Sequence, residues 1–251
     1  ALQFAGCRTE RFVLSEKTDF TVPPEFAQRI KPGVGLVFLC QPGNPTGRTV
    51  SRQVILAALQ QCRAVGAKLV VDECFTGFLP DRESVSSCSL LADWPELVIL
   101  GAFTKLWAMA GLRLGWCLCS DTALLQKLQA AAQPWSVNGP AQAAGIAALQ
   151  DEEYPQRVRA LLRTQRPRMA AALQALGMRV VPGQANYLLF YCRQPLSEGL
   201  QALGVSIRSC ENYPGLGPGW YRTAVRTGPE NDALLAALAK VLKGQNEDPQ
   251  E

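Results

Sequence analysis

The stretch "GAFTKLWAMAGLRLGW" (101–116) is mostly apolar, yet it contains Lys105 and, eight residues later, Arg113. An apolar surrounding and a neighbouring cation both disfavour a protonated amine, so together they lower the pKa of a lysine. This is the setting that a lysine needs in order to act as a nucleophile. The alternative is that Lys105 is an ordinary surface lysine, and the stretch by itself leaves both readings open.

The absence of histidine narrows the chemistry further, because it excludes Ser-His-Asp and Cys-His catalysis. Proton transfer must then fall to Lys, Asp, Glu, Tyr or Cys, unless a cofactor supplies the chemistry. The nine cysteines are mostly single and set in apolar stretches, which favours free thiols of a reducing compartment over disulfides. Cys117 and Cys119 have no second pair at zinc-site spacing, so we expect no metal site.

Composition describes an ordinary globular chain of 251 residues that is 48% hydrophobic with a net charge of +4. Its basic residues are scattered rather than collected in a stripe with aromatic residues, which argues against binding to nucleic acid. No apolar run is long enough to span a bilayer, and no signal-peptide pattern follows Ala1. We therefore expect a cytoplasmic protein with no membrane or nucleic-acid partner.

Four apolar runs of strand length alternate with helical patterns in the first half of the chain, at 34–40, 68–73, 96–103 and 115–120. Near-continuous apolar strands are typical of a sheet that is covered on both faces. The intervening helical pattern at 51–65 fits a crossover between parallel strands. The sequence thus predicts an α/β fold with a mostly parallel sheet and helices on both faces.

The remaining segments suggest two domains and a tail. We predict a large domain at 1–175 that ends in long helices, a small α+β domain at 176–244, and a disordered tail at 245–251. "RTERFVL" (8–14) is expected to be a strand, and a closing helix is expected to stop at Lys243-Gly244. The abrupt start at Ala1 suggests the C-terminal part of a longer protein.

Polar residues follow three of the predicted strands. Asn44 lies in "NPTG" after the first strand, Asp72 closes the second, and Thr104 and Lys105 follow the third. Each has an ordinary explanation as a turn, a solvated strand end or a surface lysine. Because ligands bind outside the carboxyl ends of strands in open α/β sheets, the three together predict a binding site at this edge.

Three motifs in this order, "QPGNPTG", "VVDECFTGF" and "FTKLWAMAGLRLGW", resemble the fold-type-I pyridoxal-phosphate enzymes of the aspartate-aminotransferase superfamily. The resemblance implies that Lys105 forms the Schiff base with pyridoxal 5'-phosphate and that Asp72 pairs with the pyridinium nitrogen. It also implies that Asn44 bonds the phenolic oxygen of the cofactor, and that Thr104 and Arg113 hold its phosphate. A homodimer is the usual assembly of this family.

Two positions depart from the family pattern. Phe75 stands at a cofactor-contacting position that commonly carries a tyrosine, so that hydrogen bond would be absent. Ala102 stands where Ser or Thr often contacts the phosphate. The resemblance further implies that the glycine-rich helix start that cradles the phosphate would precede Ala1, which leaves the large domain incomplete at its N-terminus.

The C-terminal segments "GQANYLLFYC" and "SIRSCENYPGLGPGWYRTAVRT", together with "QPWSVNGPAQAA", resemble the threonine-phosphate decarboxylases of the cobalamin pathway, which are relatives of the histidinol-phosphate aminotransferases. Phe75 also fits the decarboxylases better. The resemblance implies a phosphorylated amino acid, L-threonine O-3-phosphate, as substrate. Decarboxylation would give CO2 and (R)-1-amino-2-propanol O-phosphate.

A substrate with a carboxylate and a phosphate needs several fixed donors. The candidates are Arg208, Arg222, Arg226, Asn186, Tyr187, Asn212 and Tyr213, with Asn44 contributing as well, although the two tyrosines could equally be core aromatic residues. By resemblance Arg222 binds the carboxylate, and we place Arg208 near the substrate phosphate. We expect Arg222 and Arg226 to lie on one strand, four residues apart and therefore on the same face, although Arg226 could equally form a surface salt bridge. Asn186 could instead be a hydrogen-bonding residue at a strand edge.

Two other functions stay open at this stage. One is an aminotransferase for histidinol phosphate or a similar amino acid, since the sequence does not measure which substrate bond the arginines orient. The other is a catalytically incomplete, aminotransferase-like module that binds a partner or effector.

Overall fold

A computed structural model describes residues 4–246, with side chains to residue 244. Its first sheet contains four strands in the order β1-β2-β3-β4, which are β1 (Leu36–Cys40), β2 (Lys68–Asp72), β3 (Leu97–Ala102) and β4 (Gly115–Leu118). The first three strands are parallel, and β4 runs antiparallel to β3. The predicted α/β architecture with a mostly parallel sheet is confirmed.

Helix α1 (Arg52–Val65) makes the first crossover and packs on one face of this sheet. Ser51 caps its N-terminus by accepting a hydrogen bond from the main-chain N–H of Val54, and Gly66 ends it in a left-handed conformation. Between helix and sheet lies a core of fully buried aliphatic side chains, among them Leu59 and Leu69. The carboxyl ends of β1, β2 and β3 are thereby fixed at one edge.

The second sheet is antiparallel and has the order β5-β6-β8-β7. Its strands are β5 (Arg179–Val180), β6 (Tyr187–Tyr191), β7 (Arg208–Ser209) and β8 (Trp220–Ala224). Strand β6 is buried along most of its length, as its unbroken apolar sequence predicts.

The described residues contain six further helices: α2 (Arg82–Val85), α3 (Thr122–Ala131), α4 (Gly139–Gln150), α5 (Glu153–Ala175), α6 (Ser197–Ala202) and α7 (Gly228–Asn246). Short 3-10 turns lie at Glu16–Thr18, Pro24–Arg29, Thr76–Phe78, Cys88–Leu90 and Ala110–Leu112. None of the helices in the described range is long and apolar enough to cross a membrane.

Helix α5 links the two sheets. It has 23 residues and contacts the 3-10 turn Thr76–Phe78 beside the first sheet as well as β5 and β6 of the second. Arg159 donates to the carbonyl oxygen of Gly77 over 3.1 Å. Pro167 lies inside the helix and has no N–H to continue its hydrogen-bond ladder.

Three predictions about segment boundaries are wrong. Residues 8–14 form no strand, because none of their main-chain groups pairs with a strand of the described sheets. The closing helix does not stop at Lys243-Gly244, since α7 continues to Asn246. The predicted tail therefore begins inside a helix, and 247–251 lie outside the described residues. The division into two domains at 175 stays a prediction, although α5 ends there.

Candidate active site

Three of the predicted site residues lie at the carboxyl edge of the first sheet. Asp72 is the last residue of β2 and is half-buried. Asn44 lies in the turn that follows β1, and Lys105 lies in the loop that follows β3. In the register of the parallel strands Cys40, Asp72 and Leu100 are neighbours, so the two loops leave the sheet on either side of Asp72.

A chain of ring contacts joins Lys105 to the second sheet. The Lys105 Nζ atom lies 5.4 Å from the centre of the Phe75 ring. That ring meets the Tyr187 ring edge-on, with the two centres 5.2 Å apart. The Arg222 guanidinium lies 5.1 Å from the centre of the Tyr187 ring on β6. Phe75 thus has packing contacts with both sides of the site where a tyrosine would add a hydroxyl group.

Two hydrogen bonds connect the sheets directly. The hydroxyl group of Tyr187 donates to the carbonyl oxygen of Gly43 over 2.8 Å. The Arg222 Nη1 donates to Oδ1 of Asn44, the next residue along the turn. Burial raises the pKa of Tyr187, and the positive charge of Arg222 opposes this only in part, so its phenol stays protonated and remains a donor.

The charges of Asp72 and Lys105 both act on the Cys74 thiol. Burial and, after it, Asp72 raise the pKa of Cys74 to about 12, and the positive charge of Lys105 opposes the rise. Oδ1 of Asp72 accepts the main-chain N–H of Cys74 over 3.0 Å. A carboxylate and an amine of opposite charge therefore lie close enough to act on one group.

The two arginines of the second sheet are direct neighbours. Arg208 on β7 pairs in register with Arg222 on β8. The Arg208 Nη2 donates to Oδ1 of Asn212 over 3.2 Å, and the guanidinium lies 6.0 Å from the centre of the Tyr213 ring. In the described part of the chain neither arginine forms an ion pair with a carboxylate. The site therefore holds two unneutralised cations side by side.

The loop that carries Lys105 follows β3, where Trp116 of β4 packs closely on Gly101. The Trp116 ring lies over Gly101, where a Cβ atom would come within 2.0 Å of it, so only glycine allows this approach. Lys105 itself is exposed, because Leu106 and Trp107 turn into the core beneath α5 rather than enclosing the amine. The apolar enclosure expected from the sequence is not formed by the described residues.

Thr104 and Arg113 lie on the same loop, and in the described structure neither forms a hydrogen bond or an ion pair with another candidate residue. Thr104 is half-buried beside Lys105. Arg113 is exposed in a left-handed conformation with φ of 56°, and its Nη1 donates to the carbonyl oxygen of Ala110 over 3.1 Å. Their roles toward a phosphate stay predictions.

In the described structure Arg226 and Asn186 form no hydrogen bond with another candidate residue. β8 ends at Ala224, so the prediction that Arg222 and Arg226 share a strand is wrong. Arg226 leaves the sheet because its main-chain N–H binds the side chain of Asn231, and its Nη2 forms an exposed ion pair with Glu230 at 2.6 Å. Asn186 precedes β6, and its Oδ1 is buried without a hydrogen-bond partner.

Comparison with known proteins identifies the family. Residues 2–238 match the family Aminotransferase class I and II, and the chain belongs to it. The chain is 37% identical over 248 residues to a threonine-phosphate decarboxylase of Salmonella typhimurium, which covers 97% of this chain and 68% of that protein.

Two histidinol-phosphate aminotransferases are also similar. The protein from Symbiobacterium thermophilum is 41% identical over 140 residues, which covers 56% of this chain and 38% of that protein. The structure of the protein from Clostridium acetobutylicum superimposes with a TM-score of 0.92 at 25% identity and covers 97% of this chain and 74% of its own.

Pyridoxal phosphate is the cofactor of this family, and the residues present fit it. The pyridinium nitrogen of the cofactor requires a carboxylate, which lies at the end of β2. Its phenolic oxygen requires a hydrogen-bonding group such as the amide in the turn after β1. Its aldehyde requires an amine such as that of the exposed lysine. Asp72, Asn44 and Lys105 carry such groups, and the strand register places the loops of Asn44 and Lys105 on either side of Asp72.

Sequence reasoning missed the residues that join the two halves of the site. Arg48 donates to the carbonyl oxygen of Pro182 over 2.8 Å, and the main-chain N–H of Gln184 donates to that of Gly47 over 2.6 Å. A Cβ atom at Gly183 would come within 2.4 Å of the Thr46 carbonyl oxygen, so this glycine allows two main chains to touch. The only available signal was the Pro-Gly pair, which reads equally well as a plain turn.

Proposed function

We propose that the chain is the greater part of a pyridoxal-phosphate-dependent carboxy-lyase that converts L-threonine O-3-phosphate to (R)-1-amino-2-propanol O-phosphate and CO2, in cobalamin biosynthesis. The likeness to the Salmonella decarboxylase along nearly the whole chain supports the reaction class. The observation that carries the proposal is the arginine pair Arg208 and Arg222 beside Asn44.

Like charges directly opposite each other on neighbouring strands destabilise a sheet. Arg208 and Arg222 stand in this relation, and in the described chain no carboxylate neutralises either of them. Their charges both act on buried Cys210, where they oppose the rise in the pKa of its thiol that burial causes. A substrate with two anionic groups would relieve the repulsion, because each guanidinium can bind one group through paired hydrogen bonds.

The chain's own residues would divide the work as follows. When bound, pyridoxal phosphate withdraws the electrons of the substrate bond that breaks. Asp72 would hold the ring nitrogen in its cationic form, and Asn44 would bond the phenolic oxygen. Arg222 would bind the substrate carboxylate, Arg208 would bind the phosphate, and the Lys105 amine would deliver a proton to Cα after CO2 leaves.

The test is a measurement of CO2 released from L-threonine O-3-phosphate by the full-length protein, loaded with cofactor and without any 2-oxo acid. We expect release under these conditions and none from the Lys105→Ala variant. Lys127→Ala, which removes an exposed lysine of α3, is the matched control and should behave as the parent protein. Strict dependence of turnover on a 2-oxo acid acceptor would disprove the lyase.

An aminotransferase is the second candidate, because the fold superimposes closely on a histidinol-phosphate aminotransferase. Its substrate would also place a phosphate near the arginine pair. The same assay decides between the two, since transamination consumes one equivalent of acceptor for each amino group transferred and releases no CO2.

We further propose that the enzyme is a cytoplasmic homodimer. All nine cysteines lie in the described part of the chain and are free thiols, which suits a reducing compartment. The α3–α4 region exposes Leu128, Trp135, Ile146 and Leu149, which would suit contact with a second copy. Sedimentation of the full-length protein tests the assembly.

A further inference from the structure

The side chain of Gln41 is buried at the carboxyl edge of the first sheet, directly after β1 and three residues before Asn44. Its Nε2 donates to the carbonyl oxygen of Val50 over 3.0 Å and to that of Val85 over 3.2 Å. Its Oε1 accepts the main-chain N–H of Val50 over 2.7 Å. The amide therefore closes residues 41–50 into a loop and binds that loop to the last residue of α2.

The main chain of Gln41 is hydrogen-bonded as well. Its N–H donates to the carbonyl oxygen of Asp72 over 2.8 Å, and its carbonyl oxygen accepts the hydroxyl group of Thr76 over 2.6 Å. Thr76 is only 5% exposed, and buried hydrogen bonds are costly to break because the freed groups cannot bond to solvent instead. These two bonds join the loop of Asn44 to the segment that follows Asp72.

Asn44 is exposed at the tip of this loop. The main-chain N–H of Gly43 donates to the carbonyl oxygen of Arg48, and that of Gly47 donates to the carbonyl oxygen of Gly43, each over 2.7 Å. Both bonds enclose Asn44. Its Oδ1 accepts a hydrogen bond from Arg222, so its amide nitrogen is the group that can donate to a ligand.

We propose that Gln41 is a positioning residue, which acts with Thr76 to fix the exposed amide of Asn44 relative to Asp72 in the candidate active site. An exposed side chain has few packing contacts, so its place depends on the main chain that carries it. The inference rests on the proposed function in that Asn44 bonds the phenolic oxygen of pyridoxal phosphate, and not on which substrate bond breaks. Gln41 acts on the cofactor only through Asn44.

The first experiment measures amide hydrogen exchange in the full-length protein without cofactor. Gln41→Met keeps the length of the side chain and removes its three hydrogen bonds, and Thr76→Val keeps the shape of the side chain and removes its hydroxyl group. We expect exchange at 43–50 to become about fivefold faster in Thr76→Val and faster still in Gln41→Met, because opening the loop then breaks fewer bonds. Exchange in β3 should stay as in the parent protein.

Two control variants accompany this experiment. Thr76→Ser keeps the hydroxyl group and should exchange as the parent protein does. Thr164→Val removes a hydroxyl group that donates to the carbonyl oxygen of Leu161 on the surface of α5, and it should leave 43–50 unchanged. Parent-like exchange at 43–50 in either Gln41→Met or Thr76→Val would overturn the proposal.

The second experiment follows the absorbance of bound pyridoxal phosphate as a function of pH. A hydrogen bond to the phenolic oxygen changes the pH at which the bound chromophore loses its proton. Gln41→Met is therefore expected to move this midpoint in the same direction as Asn44→Ala, by about 0.5 pH unit. The double variant should move it no further than Asn44→Ala alone.

An unmoved absorbance midpoint in a Gln41→Met protein that only unfolds more easily in urea would show that Gln41 is merely structural. A shift that adds to that of Asn44→Ala would show that Gln41 acts by another route. Either result would overturn the proposal. Failure of the parent protein to bind pyridoxal phosphate would count against the proposed function, while the exchange experiment would still decide whether Gln41 and Thr76 fix the loop.

Discussion

The Tyr187 hydroxyl group and the Gly43 carbonyl oxygen form a 2.8 Å hydrogen bond across 144 residues of sequence. Tyr187 begins a strand of the second sheet, and Gly43 lies in the turn after the first strand of the first sheet. The residue after Gly43 is Asn44, whose amide receives Arg222. One phenol thus couples the two sheets at the point where the candidate site lies.

Tyr187→Phe should remove this bond and leave the Gly43 carbonyl oxygen with the main-chain N–H of Gly47 as its donor. We expect the free energy of unfolding to fall by about 1 kcal/mol, the usual net value of a hydrogen bond. Urea denaturation of the full-length protein measures the change. Tyr154→Phe is the control, since the Tyr154 ring stacks on Trp107 and its hydroxyl makes no hydrogen bond in the described structure. Equal losses in the two variants would contradict the assignment.

Gly183→Ala should destabilise the contact between the same two regions. The added Cβ would lie 2.4 Å from the Thr46 carbonyl oxygen and 2.9 Å from the Gly47 carbonyl carbon, and main-chain atoms cannot yield as a side chain can. We expect a loss of about 1–3 kcal/mol, as in other overpacked sites, together with weaker cofactor binding. Gly228→Ala is the control, because its Cβ would meet nothing closer than 3.9 Å. An unchanged unfolding midpoint for Gly183→Ala would contradict the close approach.

Glu73 should give the protein a measurable pH dependence. Burial raises the pKa of Glu73 above its usual 4.5, although the Ser87 N–H at 2.6 Å and the Ser86 hydroxyl at 2.7 Å oppose the rise by donating to the carboxylate. The folded protein therefore binds this proton at a pH where the unfolded chain has lost it. The contribution of Glu73 to stability must increase as the pH falls through the raised pKa toward 4.5.

Glu73→Gln removes this titration. On acidification from neutral pH toward the usual glutamate pKa of 4.5, the parent protein should gain stability relative to the variant. Urea denaturation at several pH values measures the difference, and Glu83→Gln, an exposed glutamate of α2, serves as control. A constant difference between parent and Glu73→Gln would refute the prediction.

Substitutions at Arg222 and at Arg226, which the sequence predicted to share a strand, should have different effects on turnover. In Arg222→Lys, lysine cannot reproduce the planar guanidinium that bonds Asn44 and lies against Tyr187, so we expect turnover to fall about 10²-fold in kcat/KM. Arg226→Gln should change neither turnover nor stability by more than about 0.5 kcal/mol, because its partner Glu230 is also on the surface. A larger loss of turnover in Arg226→Gln would show that Arg226 does belong to the active site.

The residues at the edge of the first sheet were predictable because their signals are local. The apolar runs of strand length end at 40, 73 and 103 in the sequence, and the observed strands end at Cys40, Asp72 and Ala102. Since parallel strands share one carboxyl edge, the polar residues after them had to converge. The same argument could not show that Lys105 is exposed, because that depends on where Leu106 packs.

The contacts between the sheets were not predictable, because they join residues far apart in sequence. Nothing in the stretch around Tyr187 distinguishes a hydroxyl group that bonds Gly43 from one that faces solvent. Arg226 was placed on the strand by spacing alone, and a main-chain contact with Asn231 ends the strand first. A partnerless amide such as Asn186 is visible only when the packing around it is known.

Helix α5 is anchored at two places, by Arg159 on Gly77 beside the first sheet and by Arg166 on Ala185 beside the second. Pro167 directly follows Arg166, and because it has no N–H the helix lacks one main-chain hydrogen bond there. A helix that is held at both ends bends most easily where a proline interrupts its hydrogen bonds. If the two sheets move relative to each other, we therefore expect α5 to bend at Pro167. This point lies beside Arg166, which binds the main chain two residues before Tyr187.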